Sequence, residues 1–174
     1  MPQEGGVILA ANHMSNWDPP FLATFIIRPV SYMAKQELFQ IPVFNSIIRS
    51  CHAFPVKRGA ADRGALKAAM TELKAGKCVG LFPEGTRSKD GKIHKAESGV
   101  ALIAAMTKVP VVPAAIIGTD KIFSSHIFFP KLKIIYGKPL QFEGSGKNKE
   151  ELQNFSQKIM QEIAKMKNNH SIDG

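Results

Sequence analysis

Apolar runs of strand length alternate along this chain with longer stretches in which apolar residues recur every three or four positions. The runs, bounded by turn residues, predict strands over 6–11, 30–34, 53–56, 78–82, 111–117 and 132–136. The helical periods fall between them, over 18–27 after a Pro-Pro start, 42–50, 62–75, 98–108 and 150–167. In the third of these helices Leu66, Ala69, Met70 and Leu73 share one face, and Gly76 is placed to end it. In the last, Leu152, Phe155, Ile159, Ile163 and Met166 form one stripe, which reads as packing on a sheet, with a membrane-lying helix as the alternative. Such alternation predicts an α/β fold: a central, mostly parallel or mixed sheet with helices on both faces and functional loops at the strand ends.

Composition narrows this little. A chain of 174 residues with 44% apolar content can bury a sizeable core, and no linker, repeat or low-complexity tract divides it, so a single domain over 1–174 is expected. The two cysteines, Cys51 and Cys78, lie in apolar settings without metal-type spacing, and read as buried, reduced thiols. No apolar stretch reaches the roughly 18–20 residues that span a bilayer, because prolines and charges interrupt the candidates, and no signal peptide is recognisable.

Charge changes the picture more. Of the net +9, residues 54–108 supply two thirds, with eleven basic and five acidic groups, against three and three before them and nine and six after. Lys57, Arg58, Arg63, Arg87, Lys89, Lys92 and Lys95 would make a positive funnel around an anionic substrate and against anionic lipid headgroups, unless they are simply a solvated basic face. Nucleic acid is not expected as a partner, since no aromatic-interleaved basic run or recognition motif occurs.

Two segments carry candidate chemistry. Asn12-His13-Met14-Ser15-Asn16-Trp17-Asp18 puts a histidine and an aspartate five positions apart just after a predicted strand. A carboxylate that accepts from one imidazole nitrogen fixes the tautomer and leaves the other as a base for a hydroxyl. Alone, the segment also reads as a turn in which Asn12, Ser15 and Asp18 bond local backbone. The second segment, Phe82-Pro83-Glu84-Gly85-Thr86-Arg87-Ser88, crowds an acid, a permissive glycine, two hydroxyls and an arginine into a loop after another strand. Gly85 permits close backbone approach to a ligand, and the Arg87 fork matches phosphate oxygens, so the loop reads as a phosphate clamp or, by itself, as an ordinary turn with a solvated arginine.

Together and in this order, the two motifs closely resemble those of the lysophosphatidate (1-acylglycerol-3-phosphate) acyltransferases, within the wider glycerolipid acyltransferases. Asn12, His13, Ser15 and Asp18 meet the first family motif, and Phe82 to Ser88 meet the third at every position. Phe54-Pro55-Val56-Lys57-Arg58 is similar to the second, and the proline-bearing run 109–116 to the fourth. The resemblance covers about residues 7–116. One departure is His52, where many relatives have glycine, and another is that only residues 1–12 precede His13, where family members usually carry apolar helices; the chain is expected to be a short natural form or to lack its start.

The resemblance implies a glycerol-3-phosphate acyltransferase-like fold and transfer of a fatty acyl group from a thioester, on acyl carrier protein or coenzyme A, to the free hydroxyl of 1-acylglycerol-3-phosphate, giving phosphatidate. His13 would be the base and Asp18 its orienting partner. Glu84, Gly85, Thr86 and Arg87 would hold the glycerol-phosphate portion, with Arg58 and Lys57 adding phosphate contacts. Ser15 shapes the turn rather than attacks, no Gly-x-Ser-x-Gly elbow is present, and neither a metal nor a cofactor is called for. Phe21, Phe25, Phe44, Ile47 and Ile48 would line an acyl groove or merely pack. Attachment is expected to be peripheral, at the cytoplasmic face of a membrane carrying anionic lipid. The competing functions are acylation of glycerol-3-phosphate or another lysolipid, a non-catalytic anionic-lipid-binding module, and a thioesterase.

Overall fold

A six-stranded sheet organises the computed structural model, which describes residues 1–50, 52–56, 63–88, 90–122 and 130–170, the side chains of Lys35, Val43, Phe44, Ile47 and Ser50 excepted. Its strands are β1 (Val7–Ala11), β2 (Val30–Lys35), β3 (Ala53–Val56), β4 (Cys78–Leu81), β5 (Val111–Ile117) and β6 (Lys133–Tyr136), in the order β3-β2-β4-β1-β5-β6. The first five are mutually parallel and β6 runs antiparallel along β5. The predicted mostly parallel sheet is therefore present, with β1 at its centre. Because parallel strands end at one edge, the segments after β1, β4 and β5 emerge side by side.

β1 is buried on both faces, as a central parallel strand must be, and its residues divide strictly by parity. Ile8 and Ala10 join a core with α3 (Arg63–Lys74), α4 (Gly99–Thr107) and α5 (Lys149–Asn169). Val7, Leu9 and Ala11 join a smaller core under α1 (Asp18–Ala23), with Leu22, Val112, Ala114 and Ile116. Helices thus cover both faces, with α3, α4 and α5 on one and α1 on the other. The stripe of α5 lies in the larger core: Leu152, Phe155, Ile159 and Ile163 are buried and Met166 partly so, which is the sheet-packing reading of that helix. Asn148 caps it by accepting the Glu150 N–H at 2.8 Å.

Two local outcomes differ from the sequence expectation. The helix predicted over 18–27 stops at Ala23, and the next turns close through i+3 bonds, Thr24 N–H to Phe21 and Ile26 N–H to Ala23. Pro29 biases Arg28 away from helical angles, and the Arg28 guanidinium is held by the carbonyls of Pro2, Gly5 and Gly76, so the chain must leave the helix to enter β2. This leaves Phe25 and Ile27 exposed, at 76% and 93%. A 3₁₀ turn over Gln36–Gln40, preceding α2 (Pro42–Ser50), was not anticipated either.

His52 sits at φ +52°, its N–H bonded to the Arg49 carbonyl at 2.9 Å at the end of α2. That left-handed position is one glycine fills without steric cost and a side chain strains. Cys78 is fully buried in β4, and burial pushes its thiol up to about 11 against a smaller opposing effect of Arg28. Cys51 lies outside the described residues.

Packing of α5 sets the scale of the first prediction. Ile159→Ala should destabilise the protein by about 2–5 kcal/mol, through lost transfer energy and the cavity left at a closed site. Met106→Ala, on the exposed side of α4, should change stability by no more than about 0.5 kcal/mol. Urea unfolding of the two variants measures the difference, and a cost below about 1 kcal/mol for Ile159→Ala would contradict the packed helix.

Candidate active site

Asn12 continues β1 with its side chain. Its Oδ1 accepts the Ile116 N–H at 2.8 Å and its Nδ2 donates to the Ile116 carbonyl at 2.9 Å, so the amide serves as one more rung between β1 and β5. The backbone, freed from the ladder, turns, and His13 follows. Its N–H donates to Glu84 Oε1 at 3.1 Å, and its carbonyl accepts the Ser88 N–H at 2.8 Å. The motif after β4 therefore grips the motif after β1 through the backbone of His13.

Asp18, at the start of α1, is fully buried. Its Oδ2 accepts the N–H groups of Met14 at 2.6 Å and Ser15 at 2.7 Å and lies 2.8 Å from His13 Nδ1. Its Oδ1 accepts the hydroxyl of Thr119 at 2.5 Å. A carboxylate so surrounded by donors is an acceptor, so His13 Nδ1 donates and Nε2 keeps its lone pair. The imidazole also stacks on Phe82, with centroids 4.0 Å apart and planes 19° apart, which holds the ring against rotation.

His13 faces an open cleft of about 860 Å³, whose walls include Ser15, Trp17, Thr86, Arg87 and Asp120. The histidine and the arginine that sequence spacing left some seventy residues apart therefore share one cavity. Gly85, at φ +69°, makes the turn that brings Thr86 and Arg87 to that wall. Glu84 faces the other way: it is buried, and its second oxygen accepts the His94 N–H at 3.0 Å. Lys57, Arg58 and Lys89 lie outside the described residues, while Arg63, Lys92 and Lys95 are solvent-exposed.

The loop after the clamp braces itself. Asp90 takes the Lys92 N–H, the Ser88 hydroxyl and His94 Nε2, and these bonds, the Lys92 N–H first, hold its carboxyl down to about 2. From the far end of the chain, Lys167 in the last turn of α5 donates to the Gly91 carbonyl at 2.6 Å and to Met14 Sδ at 3.5 Å. Thr119 and Lys167 belong to no motif that sequence reading singled out. Of the proposed acyl-groove residues, Phe21 is half-buried beside Trp17 and Phe25 is exposed; the side chains of Phe44 and Ile47 lie outside the described set.

Among the described residues no helix is long and apolar enough to cross a membrane, and no group of three or more histidine, cysteine or acidic side chains is placed to hold a metal ion.

The family model described as Acyltransferase matches residues 1–117. The chain is 37% identical over 143 residues to the 1-acyl-sn-glycerol-3-phosphate acyltransferase of Bacillus subtilis, covering 80% of this chain and 69% of that protein. It is 30% identical over 168 residues to the enzyme of the same name from Streptococcus pneumoniae, covering 94% and 61%. The crystal structure of the 1-acyl-sn-glycerophosphate acyltransferase PlsC from Thermotoga maritima superposes with a TM-score of 0.74 at 30% identity, over 95% of this chain and 68% of that one. The chain thus spans roughly two thirds of the length of these relatives. Its motifs, its sheet and its match over residues 1–117 make it a member of the acyltransferase family, alongside the 1-acyl-sn-glycerol-3-phosphate acyltransferases.

Proposed function

We propose that this chain works as one acyltransferase domain that moves a fatty acyl group from a thioester of acyl carrier protein or coenzyme A to the free hydroxyl of 1-acylglycerol-3-phosphate, giving phosphatidate. The observation that carries the reading is the His13–Asp18 pair opening onto the cleft that Arg87 lines. His13 Nε2 takes the proton of the acceptor hydroxyl as its oxygen attacks the thioester carbonyl, and Asp18 stabilises the imidazolium that forms. The tetrahedral intermediate collapses with cleavage of the C–S bond, and the thiol leaves with the proton that His13 returns. Arg87, with Thr86 beside it, holds the acceptor's phosphate, and Arg58 and Lys57, on the strength of the sequence motif, add phosphate contacts.

Glu84 has a different part in this scheme. With both oxygens committed to the N–H groups of His13 and His94, it fixes the height of the base in the cleft, and Gly85 supplies the turn that turns Arg87 toward ligand. A simple lipid-binding module would need neither an oriented imidazole nor this brace beneath it. The protein meets its substrate at a membrane as a peripheral protein, held at the cytoplasmic face by anionic lipid and the basic surface that includes Lys92 and Lys95.

In an assay with detergent-dispersed lysophosphatidate and each thioester, the lipid product being identified by mass, His13→Ala should abolish transfer, since a general base contributes about 10²–10⁴ in rate. In the same assay Arg87→Ala should weaken use of lysophosphatidate about ten- to a hundredfold while sparing monoacylglycerol, which has no phosphate to lose. A folded His13→Ala that keeps more than a tenth of wild-type turnover would refute the base; equal losses on both acceptors would make Arg87 structural. Glu84→Gln should lower the stability of the free protein by about 1–3 kcal/mol in urea, because an amide NH₂ then confronts a buried N–H. Unchanged stability there would return Glu84 to the ligand. Vesicles containing phosphatidylglycerol should capture the protein and release it as salt rises, given about 1 kcal/mol per well-placed cation and a screening length of roughly 10 Å at 0.1 M. Capture that ignores both salt and lipid charge would end the electrostatic account.

A further inference from the structure

Asp18 is buried completely, and its two oxygens are served unequally. Three donors converge on Oδ2: the N–H groups of Met14 and Ser15 and Nδ1 of His13. Oδ1 has one donor among the described residues, the hydroxyl of Thr119 at 2.5 Å. Thr119 is itself 1% exposed and comes from beyond the end of β5, 101 positions along the chain.

Its placement is tightly determined. Asn12 locks the end of β1 to Ile116 of β5, and Gly118 then turns the chain at φ +91°, where a Cβ would lie 2.3 Å from the Lys131 carbonyl oxygen. Thr119 opens a short 3₁₀ turn, closed by the Lys121 N–H on the Gly118 carbonyl and the Ile122 N–H on Thr119. The strand therefore stops and delivers one hydroxyl to the concealed side of the carboxylate.

We propose that Thr119 is a positioning residue for acyl transfer: its hydroxyl holds the Asp18 carboxylate in the rotation that aims Oδ2 at His13 Nδ1. Without that hydroxyl Oδ1 is a buried acceptor with nothing on it. The carboxylate relieves this by rotating to share the Met14 and Ser15 donors between its oxygens, and the bond to Nδ1 is what such a rotation breaks. The imidazole then loses its fixed tautomer, and with it the guarantee that Nε2 carries the lone pair. Thr119 is buried and does not line the cleft, so the effect falls on turnover rather than on substrate binding. The proposal rests on His13 being the base.

The test compares Thr119→Val, which keeps the branched shape without the hydroxyl, with Thr119→Ser, which keeps the hydroxyl without the methyl. Thr119→Val should lose about ten- to a hundredfold in kcat with KM for lysophosphatidate within about threefold, the usual penalty for a slightly misplaced base. Thr119→Ser should stay within about threefold of wild type. Thr119→Ala replaces Thr119→Val if the latter does not fold. Ring ¹⁵N spectra of labelled histidine, with His13 assigned by its absence in His13→Ala, give a second readout independent of turnover. Wild type and Thr119→Ser should show Nδ1 protonated and Nε2 bare, and the hydroxyl-free variant a mixture of tautomers. A folded hydroxyl-free variant that keeps wild-type kcat and a single tautomer overturns the proposal, as does a Thr119→Ser that falls as far as Thr119→Val. An active His13→Ala would instead overturn the reading beneath it, so the two failures are separable.

Discussion

A carboxylate taken wholly out of water must be supplied with donors, and most of the arrangement at the strand ends follows from satisfying Asp18. Two donors are local, since the turn after β1 folds the N–H groups of Met14 and Ser15 back onto the side chain four and three positions ahead. The third is the imidazole itself. The fourth comes from another strand, and it is available because β5 lies against β1 in the sheet. Removing the charge from water and aligning the histidine are thus one event. The loop need not be rigid in isolation, because the carboxylate it encloses selects its conformation.

The sheet contributes by what it places at a single edge. β1 has β4 on one side and β5 on the other. From β4 come Glu84, on the His13 amide, and Phe82, under the imidazole ring. From β5 come the Ile116 peptide groups that Asn12 bridges, and Thr119. The imidazole of His13 is held from both flanks and left open toward the cleft. The unequal helical cover suits this division, since α3, α4 and α5 bury the larger core and α1 has chiefly to carry Asp18 at its start.

How much of this could be read in advance depended on how locally each feature is encoded. All six strands and five of the helical segments were visible as apolar periodicity, and the His13–Asp18 pair was legible because its partners are five positions apart. Glu84 was recognisable as a motif residue, but its bonds to two backbone amides were not, because an amide leaves no signature in side-chain sequence. Thr119 was invisible for a different reason: a lone threonine after a strand has no pattern, and its meaning appears only when β5 is known to lie beside β1. Gly118 directly before it was the available hint of a forced turn. The early end of α1 is not legible in the sequence, because Phe25, Ile26 and Ile27 extend an apolar pattern that the geometry of Arg28-Pro29 overrides. The contributions of Lys57 and Arg58 rest on sequence alone, since both fall outside the described residues.

The contact of Lys167 with Met14 and Gly91 has a bearing on when this molecule becomes competent. Synthesis delivers the chain from its N-terminal side, so His13 appears well before its partners. Its helper Thr119 follows 101 positions after Asp18, and the lysine that touches Met14 lies 153 positions beyond it. A nascent or half-folded chain therefore carries His13 without its finished surroundings. The surroundings of His13 are finished only once β5 is in register and the final turn of α5 has closed on the loop, so an assay of turnover is in that sense also an assay of long-range docking.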